Sequence, residues 1–426
     1  MTLKQLKMKE DGQCKKAVNV TVPILKEWVI AAYEKLRRGG QASGVDGESW
    51  EEFDKNLERN LHVLWSRLAS GSYHPQAVKA VEIPKLDGTK RKLGIPTVRD
   101  RICQGVIAML LEARIDRIFH PNSYGYRPMK SAHQAVAKVK ENNKRYAWVI
   151  DMDISKFFDE IDHVTLRKGL KRLIPEPWIH IYIDRWLEAP IQEENGELIF
   201  KNGKGTPQGG VISPLLANIY LHFTLDLWLN KVAPQTSFVR YADDVVIHCN
   251  SKTEAEALLE LIKERLSQVK LSIKPSKTKI AFCKDYRRAG EHEHMSFNFL
   301  GFEFKPTRYK GQRGNVITAF CSDICPEKEK KITSHIRTMQ VLKNTSLSIE
   351  ELGSHLRDTT RGWINYYEKY GRTGLTRIFS RLNRRIVHWL RKKYKVGFWA
   401  GVSMYNELIK MKPGLFVHWK ASYCFR

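Results

Sequence analysis

Tyr241-Ala-Asp-Asp244 joins two short apolar runs, Ser237–Arg240 and Val245–Cys249, and no other stretch narrows the fold and chemistry of this chain so far. Apolar runs flanking a polar pair read as two strands with a tight turn between them. In a turn neighbouring side chains can reach one point, whereas along a strand they alternate between faces. Bare carboxylates held together repel one another unless a cation lies among them. Hard divalent ions such as Mg²⁺ take oxygen ligands and leave room for substrate phosphates. The turn therefore reads as a metal-holding hairpin suited to phosphoryl or nucleotidyl transfer. A solvated Asp-Asp turn is the plain alternative, because Asp favours turns for local hydrogen-bonding reasons.

A second acidic strand strengthens the metal reading. Ala147-Trp-Val-Ile-Asp-Met-Asp-Ile154 is apolar enough to be buried, yet it carries Asp151 and Asp153. At i and i+2 the two carboxylates point to one face. A buried, unpaired carboxylate is costly, so a cation or a basic partner is expected. Two acidic strands in a basic chain suggest a two-metal arrangement, in which ions ~3.5–4 Å apart activate an attacking oxygen and steady a leaving one. Asp153 is the expected ligand. Asp151 is expected to serve structure, as a cap for the helix beginning near Ser155 would.

Taken together, the motifs point to a family. Asp151-Met-Asp-Ile-Ser-Lys-Phe-Phe-Asp159 resembles motif A of reverse transcriptases, and Tyr241-Ala-Asp-Asp244 resembles motif C. Gly205-Thr-Pro-Gln-Gly-Gly-Val-Ile-Ser-Pro-Leu-Leu-Ala-Asn-Ile219 resembles motif B, and Phe299-Leu-Gly-Phe302 the primer-grip segment. Ile83-Pro-Lys-Leu-Asp-Gly-Thr-Lys-Arg-Lys-Leu-Gly-Ile-Pro96 and Ser123-Tyr-Gly-Tyr-Arg-Pro128 resemble the two fingers motifs. All stand in the family's order between Gly44 and Phe304. Further on, Arg361-Gly-Trp-Ile-Asn-Tyr-Tyr367 resembles the maturase (X) domain of group II intron-encoded proteins. No His/Cys cluster of a zinc-type nuclease accompanies Cys424, the only cysteine after Lys395, so the pattern is similar to the endonuclease-lacking bacterial type.

The resemblance implies an α+β right-hand polymerase fold, with fingers and a palm built on antiparallel sheet, followed by an all-helical thumb/maturase domain. The expected divisions are an N-terminal helical extension (1–75), fingers and palm (76–310), and the thumb/maturase region with its basic C-terminal segment (311–426). The implied activity is RNA-dependent DNA synthesis, joined to binding of the host group II intron RNA in splicing and mobility. Rival readings are a defence- or retron-type reverse transcriptase without an intron, and a non-enzymatic RNA-folding maturase. Implied partners are intron RNA, RNA template with DNA primer, target DNA and dNTPs. The implied cofactor is Mg²⁺, two ions, with Mn²⁺ as the substitute.

Residue roles also follow from the resemblance. Asp153 and Asp243 would hold the metals together with the backbone carbonyl of Ile154, with Asp244 close by but less central. Lys85 and Arg91 flank the first fingers hairpin at triphosphate-gripping positions, which the bidentate fork of Arg suits. Phe158 matches the aromatic under the sugar that excludes a 2′-OH. Gln208 would lie near the incoming nucleotide and template base. Lys277, preferred over Lys279, matches a lysine that protonates the leaving pyrophosphate. Phe299, Leu300 and Gly301 would hold the primer end.

Composition bears on partners. Lys plus Arg number 72 against 46 Asp plus Glu, a net charge of +26, which points to a polyanion and first to nucleic acid. A membrane is the lesser candidate, since no run reaches the ~20 apolar residues of a span. Met1–Glu10 lacks a signal-peptide core, so a cytoplasmic protein is expected, bacterial or organellar of bacterial origin. Seven scattered cysteines fit a reducing compartment better than a disulfide framework. Cys321-x-x-x-Cys325 with His292 and His294 is too loose for zinc, and packed or solvent-facing side chains are expected there.

Over Glu327–Lys395 there are 17 Lys/Arg against 6 Asp/Glu, an excess of 11. Arg377, Arg381, Arg384 and Arg385 share a helix with Ile378, Leu382, Ile386 and Leu390, giving one apolar and one basic face. These arginines are the expected RNA contacts. Among the interleaved aromatics Trp363, Tyr366, Tyr367, Trp389 and Tyr394, most are expected to pack a bundle and the rest to stack on unpaired bases. Helices are further expected over Ile24–Leu36, Phe53–Leu68, Arg101–Phe119 and Leu216–Val232, a hairpin over Ala80–Ile95, and a boundary near Pro306–Asn315.

Overall fold

The computed structural model describes residues 3–4, 19–20, 22–84, 90–310 and 314–423. In chain order the main elements are α1 (Lys26–Arg37), α2 (Trp50–Asp54), α3 (Leu57–Ala69), β1 (Val78–Pro84), β2 (Lys90–Ile95), α4 (Val98–Ile115), α5 (Ala132–Asn142) and β3 (Trp148–Asp153). There follow α6 (His163–Leu173), α7 (Pro177–Glu188), α8 (Ser213–Leu221), β4 (Ser237–Tyr241), β5 (Asp244–Cys249), α9 (Lys252–Gln268), β6 (Lys279–Phe282), β7 (Phe297–Phe299), β8 (Phe302–Lys310) and β9 (Val316–Ile324). The helices α10 (Pro326–Thr338), α11 (Ile349–Tyr367), α12 (Arg372–Tyr394) and α13 (Phe398–Met411) complete the main order. The class is α+β, with a helical C-terminal region.

Two compact units interleave along the chain. One comprises Met1–Ser131, Met152–Val245 and Ala257–Thr278; the other comprises Ala132–Asp151, Val246–Glu256 and Lys279–Arg426. In the second unit β6 runs antiparallel to β3 with Lys279 opposite Asp151 and Phe282 opposite Trp148.

In the first unit the expected helix over Phe53–Leu68 is two helices. Asn56 leaves helical geometry at φ −129°, ψ 43°, and the Asn60 side chain donates to the Phe53 carbonyl at the break (2.8 Å). A capping box, Ser49 with Glu52, starts α2 and satisfies two helix-end donors at once. Strands β1 and β2 pair antiparallel with Val81 opposite Leu93, as the hairpin signal requires. Helix α4 starts before Arg101 because Thr97 caps it, its hydroxyl accepting from Asp100 N–H (3.1 Å). Ile102, Cys103, Val106, Ile107 and Leu111 bury this helix on several sides, so it is a core element rather than a surface one.

In the second unit β8 and β9 form a long hairpin, registered from Phe302 opposite Ile324 to Lys310 opposite Val316. Residues 306–310 of the polar stretch thus belong to β8, and 311–313 lie outside the described residues. Helix α12 carries a buried stripe of Leu375, Ile378, Phe379, Leu382, Ile386 and Leu390. Its Asn383 holds the segment His418–Tyr423: Nδ2 donates to the Tyr423 carbonyl (2.8 Å), while Oδ1 accepts from His418 Nε2 (2.7 Å) and Trp419 Nε1 (3.2 Å). Burial pushes the His418 imidazole down to about 3, so it stays neutral in that network.

Candidate active site

The turn between β4 and β5 is Ala242-Asp243. Ala242 adopts φ 57°, which places Asp243 at the apex and makes Asp244 the first residue of β5. The end of β3 brings Asp153 to the same place. Ile154 N–H donates to the Asp243 carbonyl (3.4 Å), and Lys274 N–H donates to the Asp153 carbonyl (2.8 Å). Burial pushes the Asp243 carboxyl up, and the Asp153 charge adds to the push, while Arg91 and Lys277 work against it. The two carboxylates therefore repel one another, and the positive charges of Arg91 and Lys277 offset part of that repulsion at Asp243. Lys277 Nζ sits 3.0 Å from Asp153 Oδ2, with its side chain 59% exposed. Lys279, the alternative, lies in β6 opposite Asp151.

A buried polar scaffold, not anticipated from the sequence, supports the turn from behind. Arg240 and Asp226 are both fully buried and pair through two bonds of 2.8 and 2.6 Å. Arg240 Nη1 also donates to Asn218 Oδ1 (3.0 Å) and to the Ala242 carbonyl (3.2 Å). Asn218 Nδ2 donates in turn to the Gly125 carbonyl (2.8 Å). A Cβ on Gly125 would lie 2.5 Å from Ala242 N, so only glycine lets the Ser123–Pro128 segment close against the turn. The signal that could have exposed this scaffold was Arg240 itself, since a charge inside an apolar strand needs a buried partner. Tyr126 belongs to the same site. Its ring lies 6.3 Å from that of Tyr241, and burial with the Asp243 charge pushes its hydroxyl up.

The fingers hairpin and the glycine loop also meet here. Arg91 Nε donates to Gln208 Oε1 (2.6 Å), and Gly94 N–H donates to the Gln208 carbonyl (2.8 Å). Gly209 needs φ +122°, and a Cβ there would lie 2.5 Å from the Gly94 carbonyl oxygen. Lys90 and Lys92 stay solvent-exposed and pair with Glu82 and Glu193 on the strand surface, whereas Arg91 bonds Gln208. Lys85 lies outside the described residues. The loop at 205–206 is bound to the turn after β3: Gly205 N–H donates to the Ile161 carbonyl and Thr206 N–H to the Phe158 carbonyl (both 2.8 Å). Phe157 is buried beside Tyr220, whereas Phe158 stacks edge-on against Phe157 at 5.5 Å and keeps slightly more exposure, 6% against 1%.

Several expectations need correction. Asp151 does not cap a helix: its Oδ2 accepts from Asn298 N–H (3.4 Å) within the second unit, and the next helical turn begins after Lys156, a left-handed residue without a side-chain cap. Asp244 is a strand residue, because the turn uses only two residues. Of the four arginines read as RNA contacts, two are committed elsewhere. Arg377 binds Glu329 (2.6 Å) and Asp323 (3.1 Å), and Arg381 binds Thr333 (2.7 Å) with Glu329 at 3.4 Å. Arg384 is exposed and Arg385 half-buried.

The primer-grip segment belongs to the second unit. Phe299 is buried, and Leu300 and Gly301, at φ 51° and 81°, make the tight turn between β7 and β8. Tyr366 Oη donates to the Leu300 carbonyl (2.8 Å), and Phe302 packs against Tyr366, Tyr367 and Tyr370. Trp389 is wholly buried, with Nε1 on the Asn344 carbonyl (2.8 Å), and Trp363 packs near Phe379. Only Tyr394 of the five noted aromatics is exposed, at 47%. Cys325 is buried, Cys321 half-buried, and His292 packs edge-on to Trp148 and Phe282. Among the described residues no helix is long and apolar enough to cross a membrane.

Residues 83–304 match the family described as reverse transcriptase (RNA-dependent DNA polymerase), and residues 329–404 match the group II intron maturase-specific domain. Protein YkfC of Escherichia coli K12 is 33% identical over 328 residues, covering 67% of this chain and 83% of that protein. The group II intron-encoded protein LtrA of Lactococcus lactis subsp. cremoris is 31% identical over 258 residues, covering 58% of this chain. A 91 kDa protein in the cob intron of Schizosaccharomyces pombe is 27% identical over 322 residues, covering 60% of this chain. The alignments span 42% of LtrA and 38% of the S. pombe protein, under half of either. The chain therefore belongs to the reverse transcriptase family and carries a group II intron maturase-specific region after its polymerase region.

Proposed function

We propose that the chain is an RNA-directed DNA polymerase that also binds a group II intron RNA to assist its splicing and mobility. The observation that carries the first half is the meeting of Asp153 and Asp243 beneath Arg91 and Lys277. The second half is supported by the maturase-specific match and by the charge excess of α12.

The donor set fits hard divalent cations: carboxylate oxygens, one pushed up by burial and by its acidic neighbour, with an ammonium already drawn to the other. Asp153 and Asp243 would hold them, with the Ile154 carbonyl and Asp244 alongside. Bound Mg²⁺, or Mn²⁺ in its place, would supply charge stabilisation at the transferring phosphate and lower the pKa of a primer hydroxyl. The protein's own groups do the rest. Arg91 offers a fork to triphosphate oxygens and is held in place by Gln208. Lys277 carries a proton that a leaving pyrophosphate can take. Lys85 is proposed as the second triphosphate contact. Phe299, Leu300 and Gly301 are proposed to seat the primer end, with the turn held by Tyr366. DNA primer, target DNA and dNTPs belong to the same proposal, as does a cytoplasmic location.

The reading is tested by primer extension on poly(rA)/oligo(dT) with purified protein, dTTP and Mg²⁺. Extension that stops on chelation and returns with Mg²⁺ is the expected result, and no extension under any divalent ion would refute the polymerase half. A splicing assay on flanking RNA tests the other half.

Two variants follow. Phe158→Ala is expected to raise ribonucleotide use about tenfold or more relative to deoxynucleotide, since the ring edge that meets a 2′-OH is removed; each decade corresponds to ~1.4 kcal/mol. Unchanged discrimination, measured as the ratio of kcat/KM for dTTP and UTP, would move the gate elsewhere. Arg384→Gln with Arg385→Gln is expected to flatten the plot of log affinity against log salt by ~1.4, at ~0.7 per phosphate contact on single-stranded RNA. The same changes at Arg377 and Arg381 should act mainly on stability, because those side chains tie α12 to Glu329 and Asp323. An unaltered slope for the first pair would make that face merely solvated.

A further inference from the structure

Tyr394, Phe398 and Trp399 are exposed aromatic residues where α12 gives way to α13. Their exposures are 47%, 52% and 80%. Large apolar rings are seldom left so open without a partner. Phe398 and Trp399 lie 5.2 Å apart and edge to face, the Arg391 guanidinium lies 5.6 Å from the Phe398 ring, and Lys393 Nζ lies 6.0 Å from that of Tyr394. Lys395 takes the left-handed conformation (φ 56°) that ends α12. Gly401 lets α13 close on Arg391, since a Cβ there would lie 2.5 Å from Arg391 Cγ.

The charge along this stretch of the chain is of one sign. Between Glu368 and Glu407 the sequence holds ten Lys/Arg and no Asp or Glu. Arg384, Arg385, Arg391 and Lys392 make no ion pair among the described residues, unlike Arg377 and Arg381. Arg385, Arg391 and Lys392 lie close enough to His388 to help hold its imidazole down, although burial is the larger cause. A polyanion with flat apolar faces matches both features, and an RNA with unpaired bases has them. A duplex offers the charge but hides the faces.

We infer that Tyr394, Phe398 and Trp399 are a stacking platform for unpaired bases of a bound RNA, with Arg391 and Lys392 on its backbone. The inference rests on RNA being the partner proposed above, but it does not depend on DNA synthesis.

The test is equilibrium binding of full-length protein to a 20-nucleotide single-stranded oligo(A) RNA and to a blunt RNA duplex of equal length, without dNTPs or primer. Trp399→Leu should weaken single-strand binding about tenfold, leave duplex binding within twofold, and leave the salt slope unchanged, because no phosphate contact is lost. Trp399→Phe should restore most of the affinity, since a π-face returns. At 80% exposure neither change should shift the melting temperature, which checks folding. Equal weakening by Leu and Phe, equal loss on duplex, or no loss at all would overturn the platform. Vesicles of phosphatidylserine bound as tightly as the oligo(A), with the same dependence on Trp399, would also overturn it in favour of a membrane surface. Failure of primer extension with these results intact would refute the polymerase reading alone.

Discussion

Asp243→Asn is expected to lower primer extension on poly(rA)/oligo(dT) by at least about a thousandfold, roughly 4 kcal/mol of transition-state stabilisation at ~1.4 kcal/mol per decade. The substitution keeps size and hydrogen-bonding capacity but removes the charge that a divalent cation needs. The fold should tolerate it. The Asp243 carboxyl is pushed up by burial and by the Asp153 charge, so its ionised form at neutral pH costs the folded state stability. For a carboxyl shifted upward that cost is absent below the unfolded pKa and grows as pH rises through the folded one. Asn, neutral throughout, removes the cost. In chelator at neutral pH the variant should therefore melt at or above the wild-type temperature while being inactive. Activity retained within tenfold would remove Asp243 from the chemistry, and a large drop in melting temperature would make the loss a folding defect.

Asp226→Ala should have the largest effect on stability, about 3–5 kcal/mol, because it leaves the fully buried Arg240 guanidinium without its carboxylate. Chemical denaturation should report a lower midpoint with an unchanged slope. Asp226→Leu combined with Arg240→Met should recover much of that loss, since an apolar pair of similar volume often replaces a buried ion pair at little cost. Activity should not return with it. The Arg240 donor to the Ala242 carbonyl is gone, and the turn that carries Asp243 loses its support. Full recovery of both stability and extension would show that the scaffold serves packing alone, and a loss under about 1 kcal/mol for Asp226→Ala would show that the pair is not holding the core.

The acids of the site could be read from the sequence because each sits where local rules forbid an idle charge. Asp153 stands in an apolar strand, and Asp243 stands in a two-residue turn between two more. The hairpin over Ala80–Ile95 was equally legible, and so was the periodic helix α1 from its spacing. What supports the site was hidden, because its members lie far apart in the chain and none has a local pattern. Asp226 looks like any polar residue of a helix, and Gly125 like any loop glycine, until Arg240 and Ala242 are placed against them. The basic face of α12 shows the converse error. Periodicity grouped Arg377 with Arg384 correctly, but it could not know that Glu329 and Asp323 would be delivered to one and not to the other. Trp399 escaped notice for a related reason, since exposure of a ring cannot be read from spacing alone. The break in the expected helix at Asn56 and the early start of α4 at Thr97 are boundary effects, set by single capping side chains.

Asp153 and Asp243 are proposed to act as one unit. The direct measurement is a double-mutant cycle in primer extension, with Asp153→Asn, Asp243→Asn and both together, assayed at saturating Mg²⁺. Each single change should abolish extension to a similar extent, and the pair should cost no more than either one, since groups that hold the same ions fail together. Effects that multiply, or one variant that extends primers at near the wild-type rate, would contradict a shared site.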